Sequence, residues 1–147
     1  MPLSLPTIPF LLHATIETPA ALTFIFCPSS HVSPLHPDAA LLIQSLGGLL
    51  LASNLIALVF VRRPFDHVGR LVALALAFWH LWPCYRAVVR LARRADGRNR
   101  SAGDDAATGK TLGGPAVHLV VHMVLLALFL SAWLFGHVQT SAITSQS

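Results

Sequence analysis

Residues 115–138 read PAVHLVVHMVLLALFLSAWLFGHV, 24 residues without Asp, Glu, Lys or Arg. At about 1.5 Å per residue a helix of this length covers about 36 Å, against about 30 Å of bilayer hydrocarbon. A helix apolar on every side must be buried in a large core or in lipid. A chain of 147 residues has no large core to offer. Residues 115–138 therefore read as a transmembrane helix.

Three further stretches follow the same logic. Residues 39–61 (AALLIQSLGGLLLASNLIALVFV) are also free of charge. Residues 71–92 are purely apolar to Trp79 and continue as HLWPCYRAVVRLA. Residues 7–27 are interrupted by His13, Glu17, Pro9 and Pro19. The expected fold is all-α: an integral membrane four-helix antiparallel bundle in one domain. Its spans are 7–27, 39–61, 71–92 and 115–138, joined by a flexible basic loop at 93–114 and followed by a polar tail at 139–147.

Composition agrees. The chain is 54% apolar and only 11% charged, with a mean hydropathy of +0.66. Soluble domains carry about 25% charged residues. Whole-chain disorder is excluded by the hydrophobicity, and a soluble two-domain enzyme by the length. The two cysteines, Cys27 and Cys84, allow at most one disulfide and no zinc finger. The N-terminus lacks the basic residues of a signal peptide, and no lipidation motif is expected.

The net charge is +4, and all ten basic residues lie between Arg62 and Lys110. In a membrane protein such clusters set topology and meet anionic headgroups; no nucleic-acid partner is expected. The 93–114 loop and its flank carry seven basic residues, against three in 62–70. The positive-inside rule puts the richer side in the cytoplasm and both termini on the lumenal side. The sequon Asn99-Arg100-Ser101 is then silent. The partners expected are the lipid bilayer and an apolar small-molecule substrate, with a homo-oligomer or a membrane partner protein as the alternative. The expected location is an endomembrane of the endoplasmic-reticulum type.

Ionisable side chains inside hydrocarbon cost about 2.5–3.5 kcal/mol, so they are functional candidates by default. Glu17 is central in the first span, and His13 lies one turn earlier on the same face. Burial favours the proton-carrying form of such a carboxyl. Pro19 and Pro83 each remove a backbone donor, which predicts kinks beside Glu17 and His80. Trp79, Trp82 and Tyr85 suggest an aromatic wall near His80. Asn54 is either interhelical glue or a substrate contact. Ser45, Gly48 and Ala52 form a small-residue stripe suited to helix packing. His118 and His122 have the i,i+4 spacing of metal ligands, but no carboxylate accompanies them on that helix, and no metal site or cofactor is assigned. Arg86, Arg90 and Arg94 share a face and suit snorkelling, although Arg86 could reach Glu17. His31, His36, His67 and His137 receive no role.

By axial depth, His13, Glu17, Asn54, His80 and His122 can line one cavity. The catalytic candidates are Glu17, His13 and His80. The substrate-binding candidates are Asn54, His122, Trp79 and Trp82.

The run HATIETPAALTF (13–24), followed by Pro28-Ser29-Ser30, resembles small multi-pass membrane proteins of filamentous fungi. The architecture is similar to that of the four-helix sterol isomerase-like (emopamil-binding) proteins. That resemblance implies proton transfer by intramembrane His and Glu, and His13 and Glu17 match its His-x3-Glu spacing. Beyond Glu17 no carboxylate falls within a span. Three readings follow. One is an acid/base isomerase or cyclase of an apolar lipid or isoprenoid. The second is a non-catalytic scaffold or partner subunit, and the third a small transporter acting as an oligomer.

Overall fold

A computed structural model describes residues 4–32, 34–95 and 114–144, with side chains to Gly136. Four helices carry the described chain: α1 (Ile8–Phe26), α2 (Pro37–Val61), α3 (His67–Ala95) and α4 (Gly114–Thr144). A 3-10 turn, Leu5–Thr7, leads into α1, and another, Pro28–Ser30, follows it. No strand occurs among the described residues. All four helices are long and apolar enough to cross a membrane, over Leu5–Phe26, Pro37–Val61, His67–Ala95 and Gly114–Gly136. The chain is thus an all-α, multi-pass bundle.

Helix α1 packs most extensively on α2, and α3 on α4. The bundle is two helical hairpins laid together. The short link 62–66 puts the start of α1, the end of α2 and the start of α3 at one end. The 28–36 link and the Arg86–Arg94 turns lie at the other.

Four boundaries differ from the sequence reading, one of them the end of α4, which runs to Thr144 rather than 138. Helix α3 begins at His67 rather than at 71, because the Asp66 carboxylate accepts from the Gly69 amide at 2.9 Å and caps the first turn. His67 is therefore helical. Helix α3 also runs on to Ala95, the guanidinium-bearing turns remaining helical. Helix α2 begins at Pro37, where the missing amide costs nothing, and His36 Nδ1 accepts from the Asp38 amide at 3.4 Å. Both α1 and α3 stay helical through Pro19 and Pro83. The segment 96–113, with Arg98, Arg100, Lys110 and the Asn99 sequon, and the tail beyond 144 lie outside the described residues, as does the His137 side chain.

The packing face of α2 is not the predicted stripe. Ser45, Gly48 and Ala52 are exposed; Gly47, Leu50, Asn54 and Ala57 are buried. A Cβ on Gly47 would stand 2.8 Å from Phe24 Cβ and 2.9 Å from the Ala21 carbonyl oxygen. At Gly48 it would meet nothing within 4 Å. Close approach of α1 and α2 therefore depends on Gly47. Lipid is as apolar as the helices, so such packing, rather than exclusion from water, holds the spans together.

The apolar core joins all four helices: Phe10 and Ala14, Ala57, Ala73, Leu76 and Ala77, Phe129 and Ala132. Phe10 lies edge-on to Phe129, with centroids 5.3 Å apart. The other side of the Phe129 ring environment is polar: His80 stacks on it at 5.7 Å and His13 meets it edge-on at 5.9 Å. Phe129 thus divides an apolar half of the interior from a polar half.

Candidate functional site

The polar half is built from side chains on all four helices. His13, Glu17, Asn54, His80 and His122 are 0, 6, 1, 0 and 3% exposed. His13 Nδ1 lies 3.1 Å from His80 Nε2. His80 Nδ1 lies 2.9 Å from His122 Nδ1. His122 Nδ1 also stands 3.4 Å from Glu17 Oε1. That last pair is too poorly aligned for a hydrogen bond, and Glu17 Oε1 has no partner among the described residues. Three imidazoles thus form a continuous chain that ends against a carboxyl.

A neutral imidazole has one donor and one acceptor nitrogen, so one proton fixes the direction of the whole chain. The Asn54 amide suits its surroundings with its oxygen on Thr18 Oγ1 (3.1 Å) and its nitrogen on the Leu50 carbonyl and His13 Nε2 (both 3.2 Å). His13 then donates from Nδ1 to His80, and His80 from Nδ1 to His122. In this state the single Nδ1 lone pair of His122 is taken by His80, and Glu17 Oε1 stands beside that nitrogen without a bond to it. The reverse direction is equally terminated. Ser53 Oγ lies 3.2 Å from His13 Nε2 and gives its own proton to the Leu50 carbonyl at 2.7 Å, so it can accept from His13. Every bond between the rings then reverses, and the Nδ1–H of His122 is given to His80. In either direction the shared bond lies between His122 and His80, and Glu17 lies against the chain rather than in it.

Glu17 and His122 also face a cavity of about 330 Å³, walled by Leu46, Leu50, Trp79, Trp82, Pro83, Arg86 and His118 among others. This is the lower end of the size range of small-molecule pockets. Its surface is almost wholly apolar, yet Trp79 Nε1 is buried there without a partner. Trp82, 61% exposed, stands at the lipid-facing side.

The five candidates meet as their depths allowed, but they do not line one cavity. His13, Asn54 and His80 sit behind the wall. Asn54 does not line this cavity, and its amide faces Thr18, Leu50 and His13. Trp79, Trp82 and His122 do line the cavity, whereas Tyr85 does not. The His118–His122 pair also parts company. Their rings touch edge-on at 4.2 Å, but His118 Nε2 accepts from Arg86 Nη2 at 3.1 Å, while His122 joins the chain. Arg86 accordingly turns to His118 and forms no ion pair with Glu17. The residues that could hold a metal are others: single ligand atoms of His13, Glu17 and His80 lie within 4.8 Å of one another. Two imidazoles and a carboxylate are a donor set for a borderline divalent ion such as zinc.

Sequence reasoning passed over Ser53, Thr18 and His31. Ser53 and Thr18 flank Asn54 and His13 in helix register, a signal that neighbouring polar residues on one face give. His31 lies in a link, where no periodicity points to it.

No family model, curated protein or solved structure matches this chain. The resemblances drawn from the HATIETPAALTF run and the four-span architecture therefore have no counterpart among these comparisons.

Proposed function

We propose that the protein is an intramembrane acid/base enzyme, an isomerase or cyclase acting on an apolar lipid or isoprenoid-type metabolite. The observation that carries this reading is Glu17. Its Oε1 is buried and unpartnered, the residue lines a ligand-sized apolar cavity, and it stands against His122 at the end of a buried histidine chain.

In this reading Glu17 gives its proton to a carbon–carbon double bond in the cavity. The carbocation that forms lies beside Trp79 and Trp82, whose ring faces attract cations. The Glu17 carboxylate left behind then acts as the base and takes a proton from a neighbouring carbon, which restores the carboxyl and leaves the double bond moved. His13 and His80 are positioning residues that hold His122 beside this carboxyl; Glu17 is the group that meets substrate. The bilayer supplies the substrate laterally past Trp82. An endoplasmic-reticulum-type endomembrane, with both termini lumenal, fits this reading.

The test is isotope exchange. Purified protein in nanodiscs is incubated in D2O with a total lipid extract, and apolar lipids are scanned by mass spectrometry for added deuterium. Protein-dependent labelling that disappears in Glu17→Gln is expected. No labelling of any lipid, or labelling unchanged in Glu17→Gln, overturns the proposal and leaves the polar core as interhelical glue in a scaffold or subunit.

A further inference from the structure

A second, smaller cavity of about 140 Å³ adjoins the first and shares Phe24, Leu46 and Arg86 with it. Its other walls are His31, Val32, Ile43 and Arg90. Its character is different, because two guanidiniums and an imidazole surround a space scarcely larger than a headgroup.

Three observations bear on what it holds. First, the ion pairs among the described residues involve His36, Arg63 and His122, and leave Arg86 and Arg90 without a carboxylate. Arg86 uses one of its five N–H donors on His118. Two like charges one turn apart repel each other unless an anion lies between them. Second, His31 Nε2 is buried without a partner. Its ring is held by Phe24, edge-on at 4.3 Å, and aimed at this cavity rather than at water. Third, burial and the charge of Arg86 hold the His31 imidazole below its ordinary pKa, and its Nε2–H tautomer would be a donor for an anion. The three side-chain polar atoms buried without partners among the described residues are Glu17 Oε1, Trp79 Nε1 and His31 Nε2, and all three belong to residues that line these two adjoining cavities.

We infer that the small cavity is an anion subsite, in which Arg86, Arg90 and His31 hold the phosphate or carboxylate head of an amphiphile whose apolar tail fills the larger cavity. The inference builds on the reading above in taking the larger cavity as a substrate site, and it narrows the substrate from any apolar lipid to one with an anionic head. Arg86 is six residues beyond His80, about 9 Å along the helix. Glu17 therefore meets the tail, several carbons from the head, and the head only fixes register. Guanidinium suits this task because it pairs with phosphate or carboxylate in a fork.

The test uses dodecyl phosphate, dodecanol and inorganic phosphate, each titrated against the whole protein in phosphatidylcholine nanodiscs with tryptophan fluorescence as readout. Saturable quenching by dodecyl phosphate is expected at a concentration about tenfold or more below that of dodecanol, with none from inorganic phosphate. Arg86→Gln and Arg90→Gln should each abolish the preference for the phosphate, while Arg63→Gln, at the opposite end of the bundle, keeps it. If Arg86→Gln does not fold, Arg90→Gln carries the comparison. Equal affinity for alcohol and phosphate, or a preference unchanged in Arg90→Gln and any folded Arg86→Gln, overturns the inference. Nanodiscs containing phosphatidic acid separate the sources: competition assigns the head to a bilayer lipid, and its absence to a free amphiphile. Glu17→Gln keeps the phosphate preference even where isotope exchange is lost. Failure of catalysis and failure of the subsite are thus read separately.

Discussion

His80 Nδ1 and His122 Nδ1 face each other at 2.9 Å across the α3–α4 interface. The same nitrogen of two neutral rings can form this bond only if one ring is the Nδ1–H tautomer and the other is not. His80 is bound on its other side as well, through Nε2 to His13. Its tautomer is thereby the same as that of His13 and opposite to that of His122, and it is the link through which they are coupled.

Removing that link should cost both stability and proton transfer. His80→Ala leaves His13 Nδ1 and His122 Nδ1 buried and unpaired, at about 1–3 kcal/mol for each orphaned group. A lowered midpoint in thermal unfolding checks the first effect. The second is checked by isotope exchange, which should fall in His80→Gln as well, because an amide does not reproduce the two opposed ring nitrogens that hold His13 and His122. Exchange at wild-type rate in His80→Gln would remove the chain from the mechanism.

The spans were legible because about 20 apolar residues in a row fit a membrane-crossing helix and little else. The meeting of His13, Glu17, His80 and His122 was legible in outline, since helix rise places Glu17 and His80 near the midplane with His13 and His122 about 6 and 7 Å to either side, within reach of long side chains. What depth does not give is direction around each helix axis. Asn54 therefore read as a cavity wall although it is turned into the α1 interface, and His118 read as a partner of His122 although Arg86 takes it. The small-residue stripe failed for the same reason: Gly47 and Gly48 are adjacent in sequence and about 100° apart around α2, and only the packing partner selects between them. Asp66 was missed because its role is to cap, which needs the backbone of the following turn.

Those two glycines give a paired prediction. Gly47→Val drives a branched side chain into Phe24 and the Ala21 carbonyl. Overpacking of this kind costs about 1–3 kcal/mol. Gly48→Ala meets open space and should leave stability unchanged or raised by up to about 1 kcal/mol through helix propensity. Unfolding titrations in mixed micelles, with tryptophan fluorescence as probe, separate the two. Equal effects would place the α1–α2 contact elsewhere.

Asp66 gives a pH dependence outside the membrane. The Gly69 amide is the chief influence on its carboxyl and, with the Arg63 guanidinium, outweighs burial to hold it below the ordinary carboxylate range. A carboxyl held down in the folded state stabilises above its unfolded pKa, and that contribution is lost as pH falls through the folded value. Wild type should therefore lose thermal stability between about pH 5 and pH 3 by more than Asp66→Ala does. Near neutral pH, Asp66→Ala should melt below wild type and Asp66→Asn close to it, because the amide oxygen still caps. Parallel losses in wild type and Asp66→Ala would show that the cap contributes nothing to the pH response.

A divalent ion should oppose proton transfer by Glu17. His13, Glu17 and His80 offer ligand atoms within 4.8 Å, and zinc bound by two imidazoles and a carboxylate would hold the oxygen that must carry the proton. Added Zn2+ should then inhibit isotope exchange, the inhibition should weaken in His13→Gln, and a chelator should restore the wild-type rate. Metal binding also requires deprotonated ligands, so inhibition should deepen as pH rises. The contrary outcome has its own meaning. If zinc co-purifies in stoichiometric amount and the chelator abolishes exchange instead of restoring it, Glu17 is a ligand rather than an acid, and the reaction runs through the metal.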